Sequence, residues 1–185
     1  MSNRLEKIKT LGKAKVNIFI IDYRGYGRSQ GMPRENGVYI DSKAAYDYLI
    51  KNLKVDFGKL ILYGESLGVA VAVDLASRRK VSGLILEGGF SSGRDIGKMI
   101  YPYFPRIFIP DVFNSLKKID TVAAPKLFIH SLDDQVVPFR LGRRLYDAAS
   151  EPKEFVEITG FHDGGFLDSE EKYISAIRNF IDNLK

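Results

Sequence analysis

Five short runs of this 185-residue chain are almost purely apolar. They are residues 16–21 (VNIFII), 60–63 (LILY), 83–86 (GLIL), 126–130 (KLFIH) and 154–158 (EFVEI). Most lack the in-and-out alternation of a half-buried strand, so they predict strands covered on both faces, as in a parallel sheet. Helical spacing fills the intervals. Leu5, Ile8 and Leu11 repeat up to Gly12, with Asn3 and Glu6 spaced as a capping box. Further helices are predicted around 41–51, 69–76 and 140–149. A closing helix carries Tyr173, Ile174, Ile177, Ile181 and Leu184 on one face, with Asp168 and Glu171 spaced as its cap.

Strands that alternate with helices predict an α/β fold, a mostly parallel sheet flanked by helices and wound by right-handed crossovers. The length suits one domain, residues 1–185. One region, 88–124, has no regular period. It holds Phe90, Tyr101, Tyr103, Phe104, Phe108 and Phe113 among Pro102, Pro105 and Pro110. Inserted after a strand, it reads either as a cap whose aromatics line a pocket or as aromatics packed on the sheet.

Composition removes several chemistries. The chain has no cysteine, hence no disulfide, thiolate zinc site or thiol nucleophile. Its net charge of +5 comes from clusters such as Arg78, Arg79 and Lys80, without the aromatic interleaving of a nucleic-acid surface, so no nucleic-acid partner is expected. No apolar run approaches the ~20 residues of a membrane span and no signal peptide is visible. A cytoplasmic location is the expectation, with an anchor or signal upstream of residue 1 left open. No histidine–carboxylate cluster has metal-ligand spacing, so neither metal nor other cofactor is expected. Gly25, Gly27 and Gly31 loosely resemble a dinucleotide loop, but Met32 and Pro33 follow at once and no helix opens there to receive a pyrophosphate, so a structural turn is the better reading.

The sharpest signal is Gly64-Glu65-Ser66-Leu67-Gly68, a G-x-S-x-G between an apolar strand and a helix of small residues. In that context the pattern denotes a strained turn that lifts a serine hydroxyl above a sheet, over a helix N-terminus able to stabilise an oxyanion. A serine needs an imidazole to take its proton, and the imidazole needs a carboxylate to fix its tautomer. Asp133 and Asp134 follow one later strand, and His162 follows the last, in a Gly-rich loop. The other histidine, His130, ends a strand and reads as a structural residue. The order Ser, Asp, His belongs to one class of serine hydrolases.

With those residues in place, the chain resembles the α/β-hydrolase superfamily, and within it the abhydrolase-domain and serine-aminopeptidase-like esterases. The resemblance rests on residues 22–29 (DYRGYGRS), the serine turn, residues 129–138 (IHSLDDQVVP), and Gly160, Phe161 and His162. It departs in small ways at Val69 and Ser131, where the family favours smaller residues. It implies Ser66 as nucleophile, Asp134 rather than Asp133 as acid, His162 as base, and the Leu67 N–H as one oxyanion donor. The expected substrate is a small-molecule carboxylic ester, thioester or amide with an apolar acyl group, and Phe90, Tyr101 and Phe104 are its candidate contacts. Alternatives are a serine peptidase of the same fold and a catalytically impaired binding domain. Members of the family carry about three further strands before the opening helix, and a loop after them gives a second oxyanion donor. The chain is therefore expected to be the N-terminally truncated, C-terminal part of a longer hydrolase.

Overall fold

The computed structural model describes residues 4–184. Four parallel strands form one sheet in the order β1-β2-β3-β4: β1 Ile61–Glu65, β2 Gly83–Glu87, β3 Lys126–Ser131 and β4 Lys153–Ile158. The helices between and around them are α1 Leu5–Gly12, α2 Glu35–Lys51, α3 Leu67–Ala76, α4 Gly93–Ile100, α5 Phe139–Ala148, the single turn α6 Gly165–Asp168, and α7 Glu170–Asn183. The expected α/β fold and parallel sheet are therefore present.

The sheet has two apolar faces, as its unbroken apolar runs require. Leu84, Leu86 and Phe128 pack with Val69, Ala72 and Val73 of α3 and Leu145 of α5. The alternate residues Ile85, Leu127 and Ile129 pack with Tyr173, Ile174, Ile177 and Phe180 of α7. Every residue of β2 and β3 is buried. Parallel register aligns the strand ends, pairing Glu65 with Glu87, Glu87 with Ile129, and Ser131 with Ile158. Loops carrying Ser66, Asp134 and His162 thus leave the sheet from one end, where such folds place their chemistry.

One predicted strand is absent. Residues 16–21 are extended in sequence character but pair with no strand among the described residues, and Val16, Ile18, Phe19 and Ile20 are 37–48% exposed. An apolar run becomes a buried strand only where neighbours take its N–H and C=O groups, and β1, the edge of the sheet, pairs only with β2. Phe19 instead stacks on Tyr48 of α2, ring centroids 6.2 Å apart. The run and α2 wall an open groove of about 590 Å³ that includes Phe19, Arg24, Met32, Asp41 and Tyr48.

Smaller differences have local causes. α2 begins at Glu35, six residues before the predicted start, and the Glu35 carboxylate accepts hydrogen bonds from Tyr39 Oη (2.9 Å) and the Phe113 amide (2.7 Å). The Asp168 cap does not form: Asp168 ends α6, and α7 starts after Ser169, whose hydroxyl receives the Thr159 amide instead. Asn3, the other predicted cap, lies outside the described residues. α1 is rotated from its predicted face, since Leu5 is exposed while Lys7 and Thr10 are buried. Region 88–124 contains α4 and three single 3-10 turns, Arg106–Phe108, Ser115–Lys117 and Ile119–Thr121. The 25–31 loop closes on itself through the Gly25 amide to Gln30 O (3.2 Å), and Arg24 forks onto Asp41 from α2.

Candidate active site

Ser66 sits between β1 and α3 with φ 54° and ψ −117°, a conformation costing of order 1–3 kcal/mol for a non-glycine residue. Two backbone bonds hold it there. Its amide donates to Glu87 O at 2.9 Å, and its carbonyl accepts from the Val69 amide at 3.1 Å. Gly64 permits the sharp turn, because a Cβ there would lie 2.4 Å from the Gly68 carbonyl oxygen. The Leu67 amide is the first of α3, so it has no intrahelical acceptor. The local sequence thus builds the half-buried serine and one N–H without an intrahelical acceptor together.

Asp134 lies in the turn after β3, and its two oxygens face different partners. Oδ1 accepts from the amides of Val136 (2.9 Å) and Val137 (2.7 Å). Oδ2 lies 2.6 Å from His162 Nδ1. Burial works against the Asp134 charge, but the His162 bond and the two amides outweigh it and hold the carboxyl below its ordinary range. The Asp134 hydrogen bond raises the His162 pKa above its usual value, against the opposing effect of burial. With Nδ1–H donating to Asp134, the neutral ring presents Nε2 as its acceptor.

Asp133 points elsewhere. Its Oδ2 accepts from the Gly160 amide at 3.1 Å, tying the acid loop to the base of the His162 loop. His130 is buried beneath the acid loop, with Nε2 donating to Val137 O at 2.9 Å and lying 3.5 Å from Asp134 Oδ2; burial lowers its pKa. Gly88, at φ +56°, passes directly beside the imidazole, and a Cβ there would stand 3.2 Å from His162 Cε1. Among the described residues, no hydrogen bond joins Ser66 Oγ to His162. The structure therefore brings Asp134 and His162 into contact and sets Ser66 at the same end of the sheet.

The three candidate acyl contacts do not gather. Phe90 is buried with Val137 and Leu141, against Leu67, Ile96 and Phe113. Tyr101 and Phe104 lie on the surface, 64% and 49% exposed. No group of His, Cys, Asp and Glu among the described residues is placed to hold a metal ion, and no helix among them is long and apolar enough to cross a membrane.

Sequence reasoning missed a buried polar cluster behind the serine turn. Lys7 Nζ bonds Glu87 Oε1 at 2.6 Å with both side chains about 95% buried, and the ammonium sits 3.9 Å from the Phe166 ring centroid. Tyr173 Oη donates to Glu87 Oε2 at 2.8 Å, Tyr63 Oη donates to the same oxygen, and the two phenols are 3.2 Å apart. Burial, with Glu87 as the next cause, raises the pKa of both tyrosines. Beside this cluster, Arg4 pairs with Glu65 at 2.6 Å. The available signal was a glutamate ending an otherwise apolar strand, which in a buried sheet demands a partner.

Comparison with known proteins follows the same outline. The family model described as serine aminopeptidase, S33 matches residues 2–109. An uncharacterised protein of Mycobacterium tuberculosis is 38% identical over 183 residues, covering 97% of this chain and 65% of that protein. The α/β-hydrolase domain-containing protein aho-3 of Caenorhabditis elegans is 36% identical over 168 residues, covering 90% of this chain and 49% of its own length. The chain thus spans between about half and two thirds of these curated relatives. Among solved structures, an esterase of Pyrococcus furiosus matches with a TM-score of 0.79 at 19% identity, covering 96% of this chain and 74% of that one.

Proposed function

The chain belongs to the serine aminopeptidase S33 family of the α/β-hydrolase superfamily, and from that premise we propose that it is a serine hydrolase of carboxylic esters, thioesters or amides. The observation that carries the reading is the 2.6 Å contact between Asp134 and His162 at the sheet end that also holds Ser66 on its strained turn.

In this reading Ser66 Oγ attacks the acyl carbon while His162 Nε2 takes its proton, and the oxygen of the tetrahedral adduct draws on the Leu67 N–H. Asp134 stabilises the imidazolium that results. The adduct collapses by breaking the bond to the leaving group, which receives the proton from His162. Water, deprotonated by His162, then attacks the acyl carbon; the bond to Ser66 Oγ breaks, Oγ takes the proton back from His162, and the acyl group leaves as the acid. Phe90, next to Leu67 in its apolar cluster, is the best placed of the three aromatic candidates to meet an acyl chain; Tyr101 and Phe104 face outward.

Fluorophosphonate labelling tests this directly. Labelling of the chain that disappears in Ser66→Ala supports an activated serine, whereas a folded chain that never labels removes the proposal. A second reading, a binding domain with impaired chemistry, is favoured by the lack of a Ser66–His162 hydrogen bond. It predicts no labelling together with retained affinity for acyl esters.

A further inference from the structure

Residues 96–110 contain two cations, Lys98 and Arg106, and no acid. Within them Ile100, Tyr101, Tyr103, Phe104, Ile107 and Phe108 are 58, 64, 99, 49, 82 and 68% exposed. Six large apolar or aromatic residues on one short surface segment form a patch of the kind that marks an interaction site.

The segment is held in shape by its own polar groups. Lys98 Nζ donates to Pro102 O (2.6 Å) and Phe104 O (3.1 Å), and Arg94 Nε donates to Ile109 O (2.9 Å). Those acceptors are all backbone carbonyls. Arg106 and Arg144 share one carboxylate, Asp95, at 2.8 and 3.1 Å. Arg94 also acts electrostatically on Asp111, which Lys117 pairs at 2.7 Å. Five cations, Arg94, Lys98, Arg106, Lys117 and Arg144, thus stand at the base of the patch against two carboxylates, Asp95 and Asp111.

We propose that this segment docks the protein on an anionic lipid bilayer. Tyrosine, phenylalanine and isoleucine flanked by lysine and arginine suit the headgroup boundary, where rings are half-buried and cations meet lipid phosphates. Shape favours the same occupant. Tyr103 and Ile107 are too exposed to floor a groove; they project, and a deformable bilayer accepts projections that a rigid partner must match. The segment follows β2 and leaves the sheet from the end that carries Ser66, so docking turns that end toward the lipid. The inference stands whether or not Ser66 is reactive.

Flotation with vesicles tests it, using phosphatidylcholine alone and phosphatidylcholine with about 30% phosphatidylserine. The protein should float with the anionic vesicles, less with the neutral ones, and less again at high salt. The double variant Tyr103→Ser/Ile107→Ser keeps every charge and should lower the bound fraction about tenfold with an unchanged melting curve. Failure of the protein to float, or equal flotation of the double variant, overturns the proposal. A dimer in light scattering that the double variant converts to monomer, with no vesicle binding, also overturns it and assigns the patch to a second copy of the chain.

Discussion

The acid–base side of the site and the serine side are built differently. Asp134 hangs from β3, which pairs on both sides, and His162 from β4, an edge strand; their loops are bound by backbone amides and by each other. Ser66 follows β1, the other edge strand, with the apolar run 16–21 exposed and unpaired among the described residues. Beyond the two backbone bonds of Ser66, the serine side has the buried Lys7–Glu87 ion pair in place of a second ladder. Two regions of equally apolar sequence thus end in different states, because one has neighbours to receive its hydrogen bonds.

The largest effect expected on this contrast is at Ser66. Ser66→Ala should reduce ester turnover by about 10⁶-fold while leaving the melting curve in place; comparable turnover by the variant would place the chemistry elsewhere. Asp134→Asn follows, at about 10⁴-fold in kcat. It should also move the pH profile. Activity requires neutral His162, whose raised pKa sets the acid limb above the usual ~6.5, and losing the Asp134 charge should carry that limb downward.

Glu87→Gln tests the charge lock. It leaves the Lys7 ammonium buried without its carboxylate and should cost about 3–5 kcal/mol in denaturant unfolding. A loss below about 1 kcal/mol would mean that the pair contributes little beyond a well-packed neutral contact. The opposite side supplies the smallest effect. Ile18→Ser, in the exposed run, should change stability by no more than about 0.5 kcal/mol, whereas Leu127→Ala in β3 should cost about 2–5. Equal costs would show that the two runs are equally buried in solution.

The site pair has its own stability signature. His162 titrates above its unfolded value, so its contribution is complete below about 6.5 and is lost as pH rises through the raised pKa. Asp134 titrates below its unfolded value, so its contribution is complete above about 3.9 and is lost as pH falls through the depressed pKa. Stability of Asp134→Asn should therefore depend less on pH in both ranges, which thermal melts at a series of pH values would read.

Much of this was legible from local signals. The serine turn is encoded within five residues, since Gly64 and the helix after Leu67 are steric necessities of one another. The central strands were legible because an unbroken apolar run has only one stable use in a sheet of this size. The same rule misread 16–21, since pairing is decided by residues distant in sequence. Lys7 was hidden for a related reason: an ammonium on a helix is solvated unless something far along the chain, here Glu87, draws it inward. Asp168 looked like a cap by spacing, but the preceding turn α6 consumed it.

The Lys7–Glu87 contact has a mechanical side. α1 belongs to no ladder, yet its ammonium grips the strand end whose backbone oxygen receives the Ser66 amide. A tether pulling on the amino end of α1 would therefore load the serine turn through side chains before any strand of the sheet was peeled away. The turn would act as the first spring in the series, and force on that end of the chain would be felt at Ser66.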